Sequence, residues 1–505
     1  MPICGPLIVS QGARLSHIDW PSFKNEAPVM FTKIVFPIFF ASLISLAIAE
    51  QTERTFKSST GQEIRATFQG LKGETVTLKR ADGRSFDLPL TRLSEADRAY
   101  IRDTAAGSEK KAEKINAAAG QNFSNGKSFS ELDAQELAND LKLPPESTSK
   151  HGKSWRLYAA FAGGYTLFGT MPYSVALYSD GGGKVENLSI VYANKGDYGS
   201  TAGFAREHFK KSGITMPSSL EEAMKLDEKT ITKALTSVFG EGTEQRYGES
   251  GTRRTITRWD WNDHAFLLSN EEGEYVSLAI VSTEMADSGG KSKRMSDAEL
   301  KKRLIENVKT SQNGDTLITE IPMVDQGPKG YCVPATFERA MRTMGIEADM
   351  YLLAMVGESS GGGGTVVEVL LENVKSAVYR KGRRTKDDEI RSLKIRDVKR
   401  YIDDGAPVMW TLHSVDEYND LTDENTAGRL AGGDPFRATM KEKGDKLAAT
   451  PKPETNRHIC MIIGYNEKTE EIAVSDSWGK QFELRWVPLQ VADWASSGKL
   501  FMILP

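Results

Sequence analysis

Val324-Asp325-Gln326-Gly327-Pro328-Lys329-Gly330-Tyr331-Cys332-Val333-Pro334-Ala335 places a glutamine six residues ahead of a cysteine, with two glycines and a proline between them. From the cysteine onward Val333, Phe337, Ala340, Met341 and Met344 recur at helical spacing until Gly345 stops the pattern. Pro334 falls in the first turn, where its missing N–H costs nothing. Cys332 is therefore expected at a helix N-terminus, where the macrodipole favours the thiolate, the reactive form. A lone cysteine is more often a buried core residue. Against that, Gly327-Pro328-Lys329-Gly330 is surface-loop chemistry and predicts an accessible thiol.

A nucleophilic thiol needs a base and a group that orients the base. In the last third of the chain only His413 and His458 qualify. His458 precedes the buried-strand run Ile459-Cys460-Met461-Ile462-Ile463-Gly464-Tyr465, and a polar turn separates it from Ile472-Ala473-Val474-Ser475-Asp476. An antiparallel hairpin centred near residue 467 or 468 sets residues whose numbers sum to about 935 opposite one another, and 458 + 476 is 934. His458 and Asp476 are thus expected as near cross-strand neighbours, although a one-residue slip would put them on opposite faces. His413 follows the strand-like Pro407–Leu412 but has no evident carboxylate partner, so His458 is preferred. Gln326 can join the Cys332 backbone N–H in stabilising a tetrahedral oxyanion.

These residues together resemble a papain-like cysteine peptidase of the bacteriocin-processing, C39-like branch. The resemblance rests on Gln326 and Cys332 in their spacing, Tyr331-Cys332-x-Pro334-Ala335, Gly405-Ala406-Pro407-Val408, His458-x5-Gly464-Tyr465 and Asp476-Ser477-Trp478-Gly479. It covers roughly residues 315–505. It implies Cys332 as nucleophile, His458 as base and then acid, Asp476 as orienting group, Gln326 as oxyanion donor and Trp478 as a shield over the His458–Asp476 pair. The implied fold is a helical subdomain carrying Cys332, packed on a β subdomain carrying the other two. Gly363 and Gly364 are candidates for holding an extended substrate by its backbone, with a flexible loop as the simpler reading. Residues 413–457 are long enough for a lid or specificity loop. Cys460 is expected as a packed core residue, with a Cys332–Cys460 disulfide the less favoured alternative. No metal and no cofactor is implied.

The rest of the chain reads as delivery and accessory structure. At 505 residues it predicts about three domains, and 27% charged with 39% hydrophobic residues predicts that most of it folds. A formal charge of -4 over that length gives no electrostatic case for nucleic acid or an anionic membrane. Three cysteines are too few for a disulfide scaffold. Residues 30–49 read as a signal peptide: Lys33, an apolar run from Ile34 to Ile48, and small residues at Ala47 and Ala49. The run falls short of the roughly 20 residues a spanning helix needs. Cleavage would start the mature chain at Glu50 and place it outside the cytoplasm, in secreted or periplasmic form, with an uncleaved membrane anchor as the alternative. Residues 1–29 carry no such pattern and suggest a start at Met30.

Residues 50–103 alternate apolar and polar positions between Gly-containing turns. They resemble the SH3-like homology domain of Sla-type adaptors at Gly61, Ala66, Val76-Thr77-Leu78, Asp82-Gly83, Pro89-Leu90 and Leu93-Ser94-x-x-Asp97-x-x-Tyr100-Ile101. The resemblance implies a small β-barrel that docks a protein partner, or a spacer. A short helix is expected after Ser94, then a linker over 104–127. Residues 128–285 are expected as an α+β domain of no recognised family, with a helix from Ser128 to Leu141, strands at 155–162, 165–170, 173–179, 185–192, 253–261, 264–269 and 274–282, and helices near 200–212 and 219–239. His151, His208 and His264 are expected as surface-turn histidines. Residues 286–314 form a linker and a helix from about Ser296.

The whole is thus an α+β multidomain chain ending in a papain-like domain. Its expected function is an exported thiol peptidase acting on a peptide or protein. The residues leave open an amidase, a transglutaminase-like transfer, a cell-wall peptide hydrolase, or a binding protein that keeps the fold only as a scaffold.

Overall fold

The structure is a computed structural model that describes residues 53–159, 162–199, 217–249 and 253–505. The expected signal peptide, the helix near 200–212 and His208 lie outside the described residues.

Four short strands come first: β1 (Arg54–Lys57), β2 (Glu63–Lys72), β3 (Thr75–Lys79) and β4 (Ser85–Pro89). They pair in sequence order as an antiparallel meander. Alternation drives one face inward, where Phe56, Ala66, Phe68, Val76 and Leu78 form a small core with Leu90 and Ile101. No ladder joins β1 to β4 among the described residues, but the end of β1 meets the segment after β4 through a bridge between Ser58 and Leu93. Ser94 caps the helix that follows by accepting the Asp97 N–H at 3.2 Å.

That helix is not short. It runs Glu95–Ala119 and ends on Gly120 in the left-handed conformation, so most of the segment expected as a linker is helical. Its Ala, Glu and Lys content has high intrinsic helix propensity. Its two ends are held by different cores: Ile101 belongs to the first, Ile115 and Ala119 to the next.

The central domain is built on one antiparallel sheet of eight strands. They are β5 (Pro145–Ser149), β6 (Gly152–Leu157), β7 (Ser174–Ser179), β8 (Val185–Asn194), β9 (Thr243–Tyr247), β10 (Arg254–Trp261), β11 (His264–Glu271) and β12 (Tyr275–Ser282), in the order β5-β6-β7-β8-β12-β11-β10-β9. One face, with Leu188, Ile190, Tyr192, Val276, Leu278 and Ile280, packs on the helix Leu220–Phe239 and the end of the long N-terminal helix. The opposite face offers Val191 and Tyr275 to the last domain. Covering both faces explains why these strands read as nearly continuous apolar runs.

Three expectations are corrected here. Residues 165–170 form a turn, with Phe168 and Gly169 both at positive φ, and no strand. The first helix is a 3-10 turn, Phe129–Glu131, and a separate helix Ala134–Asp140 that Asp133 caps. His264 is fully buried, because it opens β11 facing the aromatic core: it stacks on Trp261 and meets Phe129 edge-on, and burial pushes its pKa down to about 4.

The helix Asp297–Asn307, capped by Ser296, leads into the last domain. Its sheet runs β13 (Val308–Thr310), β14 (Thr316–Ile318), β17 (Arg457–Asn466), β16 (Val408–His413), β20 (Ser496–Leu504), β15 (Arg384–Glu389), with β18 (Glu471–Ser475) on β17 and β19 (Arg485–Pro488) on β18. Helices Cys332–Thr343, Met350–Val356 and Val367–Arg380 share its core through Phe337, Met341 and Leu370 against Trp410, Met461 and Phe501. Residues 413–457, expected as a lid or loop, instead form a helical hairpin, Asp416–Gly428 and Gly433–Ala448. The second of these covers Val491 on the helix Leu489–Ala495, where Gly444 approaches.

Candidate active site

The helix Cys332–Thr343 begins at the cysteine itself, with Tyr331 as its N-cap. Thr336, one turn on, bonds the Ile459 carbonyl at 3.4 Å and lays the helix start against β17 beside His458. The backbone N–H groups of Val333 and Ile459 favour the charged form of the Cys332 sulfur.

His458 Nε2 lies 3.0 Å from Asp476 Oδ1, which leaves Nδ1 for Cys332. Burial pushes the Cys332 thiol up, but hydrogen bonding to His458 and its charge outweigh that and bring it below its ordinary value. Burial likewise opposes the imidazolium, yet Asp476 and Cys332 raise His458 to about 9. Asp476 is buried, but Arg485 and His458 pull it down to about 2. Each of the three groups is thus shifted towards its charged form. Trp478 stacks on the His458 ring with centroids 4.5 Å apart.

Gln326 is held from three directions. Its N–H donates to Ser477 O at 2.8 Å, Ser477 Oγ donates to its Oε1 at 2.8 Å, and its Nε2 donates to Lys329 O at 2.9 Å. These bonds fix which way the amide faces and use one of its two Nε2 protons.

The hairpin register differs from the expected one. Next to the turn, Gly464 faces Ala473 and Tyr465 faces Ile472, sums of 937 that would have put His458 and Asp476 on opposite faces. A bulge between Ile462 and Gly464 shifts the register to 936, with Met461 opposite Ser475. The parity is restored, and His458 meets Asp476 as a diagonal pair, two residues out of direct opposition.

His413 bonds the Thr455 carbonyl at 2.7 Å through Nδ1 and takes no part in this chain of contacts. Cys460 is a free, fully buried thiol, and Cys332 is free as well. Burial pushes Cys460 well above the ordinary thiol range. Gly363 and Gly364 stand beside the nucleophile loop, but their N–H groups are already used: Gly363 N donates to Ser360 O at 3.0 Å and Gly364 N to Gly330 O at 3.0 Å. A Cβ on Gly363, at φ 112°, would sit 2.4 Å from Gly330 Cα. The pair braces the loop through a close backbone approach that only glycine permits.

The loop itself is also corrected. Gln326, Lys329, Tyr331 and Cys332 are all buried, Lys329 and Tyr331 against the central domain, so the turn-forming composition did not place the loop or its thiol at a surface.

Arg485 escaped the sequence reading. Its Nη2 and Nε reach Asp476 Oδ2 at 2.7 and 3.1 Å, and its Nη1 bonds Asn419 and Asp423, both at 3.1 Å, on the first helix of the hairpin. The available signal was an arginine beside the apolar run Trp486-Val487, since a buried arginine demands a carboxylate partner.

No metal-binding group of three or more His, Cys, Asp or Glu side chains occurs among the described residues, and no described helix is long and apolar enough to cross a membrane. A family model described as the peptidase C39-like family matches residues 318–499, which supports a C39-like peptidase domain at the C-terminus. The matched residues do not include the N-terminal sheet. No curated protein matches the chain.

Proposed function

We propose that the chain is a thiol peptidase that hydrolyses peptide bonds through Cys332, His458 and Asp476, with Gln326 as an oxyanion donor. The observation that carries this reading is His458 held 3.0 Å from the Asp476 carboxylate, on the strand against which the start of the Cys332 helix is laid. In this reading the Cys332 thiolate attacks the scissile carbonyl and its electrons move onto the oxygen, which the Gln326 amide and a backbone N–H receive. The intermediate collapses to a thioester as His458 gives its proton to the leaving amine. Water, deprotonated by His458, then releases the acid and regenerates the thiol. Asp476 keeps the imidazole in one orientation throughout, and Trp478 limits water around the pair.

The match to a peptidase family supports cleavage over transfer or amide hydrolysis with the same residues. We further infer export, because residues 30–49 carry the signal-peptide pattern. Digestion of an unbiased peptide library tests the activity: the full chain cuts it and Cys332→Ala does not. A library left intact by the full chain overturns the reading.

A further inference from the structure

The contact between the central domain and the loop ahead of Cys332 is tighter than a docking arrangement requires. Ser147 Oγ accepts the Met323 N–H at 3.0 Å, and Glu146 Oε1 accepts the Asp325 N–H at 2.8 Å. The Tyr158 hydroxyl donates to the Asp325 carbonyl, one residue before Gln326. Gly327, at φ 68°, meets the Tyr158 ring so closely that a Cβ there would fall 2.7 Å from Cζ.

At the centre of this contact lies Lys329, whose side chain is wholly buried. Its ammonium pairs with Asp197 of the central domain at 3.4 Å. It also stands 4.7 Å from the ring centroid of Tyr158, 4.9 Å from that of Tyr351 and 5.4 Å from that of Tyr331. Burial lowers the Lys329 pKa and its Nζ makes no hydrogen bond, so the Asp197 charge and the ring faces are what oppose the cost of burying the ammonium. Asp197 is itself anchored, accepting from Asn194 Nδ2 at 2.9 Å.

We propose that Lys329 is a positioning residue for the oxyanion donor, and that the central domain completes the active site by seating its ammonium against Asp197 and Tyr158. The link is direct. The Lys329 carbonyl takes one Nε2 proton of Gln326, so the seat of the lysine side chain helps to set where the remaining amide proton points, together with the Ser477 hydroxyl on Oε1. Cys332 has holds of its own, its helix and β17, besides the N–H of its helix N-cap Tyr331, which donates to the same Lys329 carbonyl at 2.9 Å. Losing the seat therefore misaims Gln326 while leaving the thiolate in place.

The proposal rests on the peptidase reading above, and two probes of Cys332 in the full chain separate the two. p-Nitrophenyl acetate acylates the thiolate through a tetrahedral oxyanion and releases p-nitrophenolate; iodoacetamide alkylates the same sulfur by displacing iodide, with no oxyanion. Lys329→Met slows acylation about tenfold or more, within the loss expected for a weakened oxyanion donor, while the alkylation rate and its pH profile stay within about twofold of the parent. Asp197→Asn, on the other domain, gives the same selective loss, and the double variant is no worse than the more affected single one. If Lys329→Met does not fold, Tyr158→Phe carries the test, with a smaller loss confined to acylation. Acylation and alkylation falling together, or neither falling in a folded variant, overturns the proposal. A parent chain inert to both probes overturns the peptidase reading instead.

Discussion

Two buried thiols share one core, and the groups that face them push them in opposite directions. Cys460 meets apolar strand residues and the Asp476 charge, which hold it protonated. Cys332 meets His458 and two backbone N–H groups, which favour the thiolate. The reactive pair exists between the titration of the thiol and that of the imidazolium, so kcat/KM is expected to fall at alkaline pH with a midpoint near 9, where His458 loses its proton. Steady-state rates across that range check it, and a rate still rising past pH 10 contradicts it. The same shift affects stability. A histidine raised from 6.5 to about 9 on folding contributes stability that is fully present below 6.5 and is lost as pH rises through about 9. Cys332, lowered by the same pairing, contributes with the opposite sign, so the thermal midpoint is expected to decline over that window more clearly in Cys332→Ala, where the histidine titrates without the opposing thiol, than in the parent. Trp478→Ala opens the ring face of His458 to water and is expected to lower kcat on the order of tenfold by loosening that geometry, with KM little changed. The nearness of His458 to Asp476 was legible in the hairpin count, and Cys332 at a helix start in the helical spacing that follows it, while the place of Trp478 over His458 came only with the family resemblance. Lys329 was not legible, because a lysine between Pro328 and Gly330 reads as exposed unless the partner domain is known.

Secondary elements set the geometry that the residues use. The hairpin count placed His458 near Asp476, but their meeting depends on the bulge at Ile462 to Gly464, which no periodicity announces. The helical hairpin is a second such device. Its helix Asp416–Gly428 holds Arg485 through Asn419 and Asp423, and Arg485 holds Asp476. Arg485→Met removes the cation from a buried pair and is expected to destabilise the fold by about 3 kcal/mol. Asn419→Ala keeps the cation and should cost less, about 1 kcal/mol, with a measurable loss of kcat. Chemical denaturation of the two variants gives the order, and equal stability for all three chains contradicts the clamp. The segment 413–457 read as a loop because its Asp, Gly, Lys and Pro content is turn-like, whereas tertiary contact with β19 and the helix Leu489–Ala495 makes it helical.

At the scale of the molecule, the central sheet is shared between two cores. Its strands were visible in sequence as apolar runs, but the reason both faces are apolar, a neighbouring domain, was not. Val191 and Tyr275 meet Val324, Tyr331, Ala335, Met350, Tyr351 and Ala354 in one buried cluster. A chain beginning at residue 294 exposes that cluster and leaves Lys329 without Asp197. It is expected to bind a hydrophobic dye and aggregate, while a chain retaining residues 53–505, with both cores whole, does not. The long helix Glu95–Ala119 ties the N-terminal sheet to the same body in place of the flexible linker that its composition suggested.

The central claim concerns which sulfur reacts and why. Brief treatment of the native full chain with iodoacetamide at neutral pH, followed by peptide mapping, measures labelling at Cys332 and Cys460 side by side. The account predicts rapid modification of Cys332, none of Cys460 before denaturation, and a fall of about tenfold or more in the Cys332 rate in His458→Ala. Equal labelling of the two cysteines, or a Cys332 rate indifferent to His458, would contradict it.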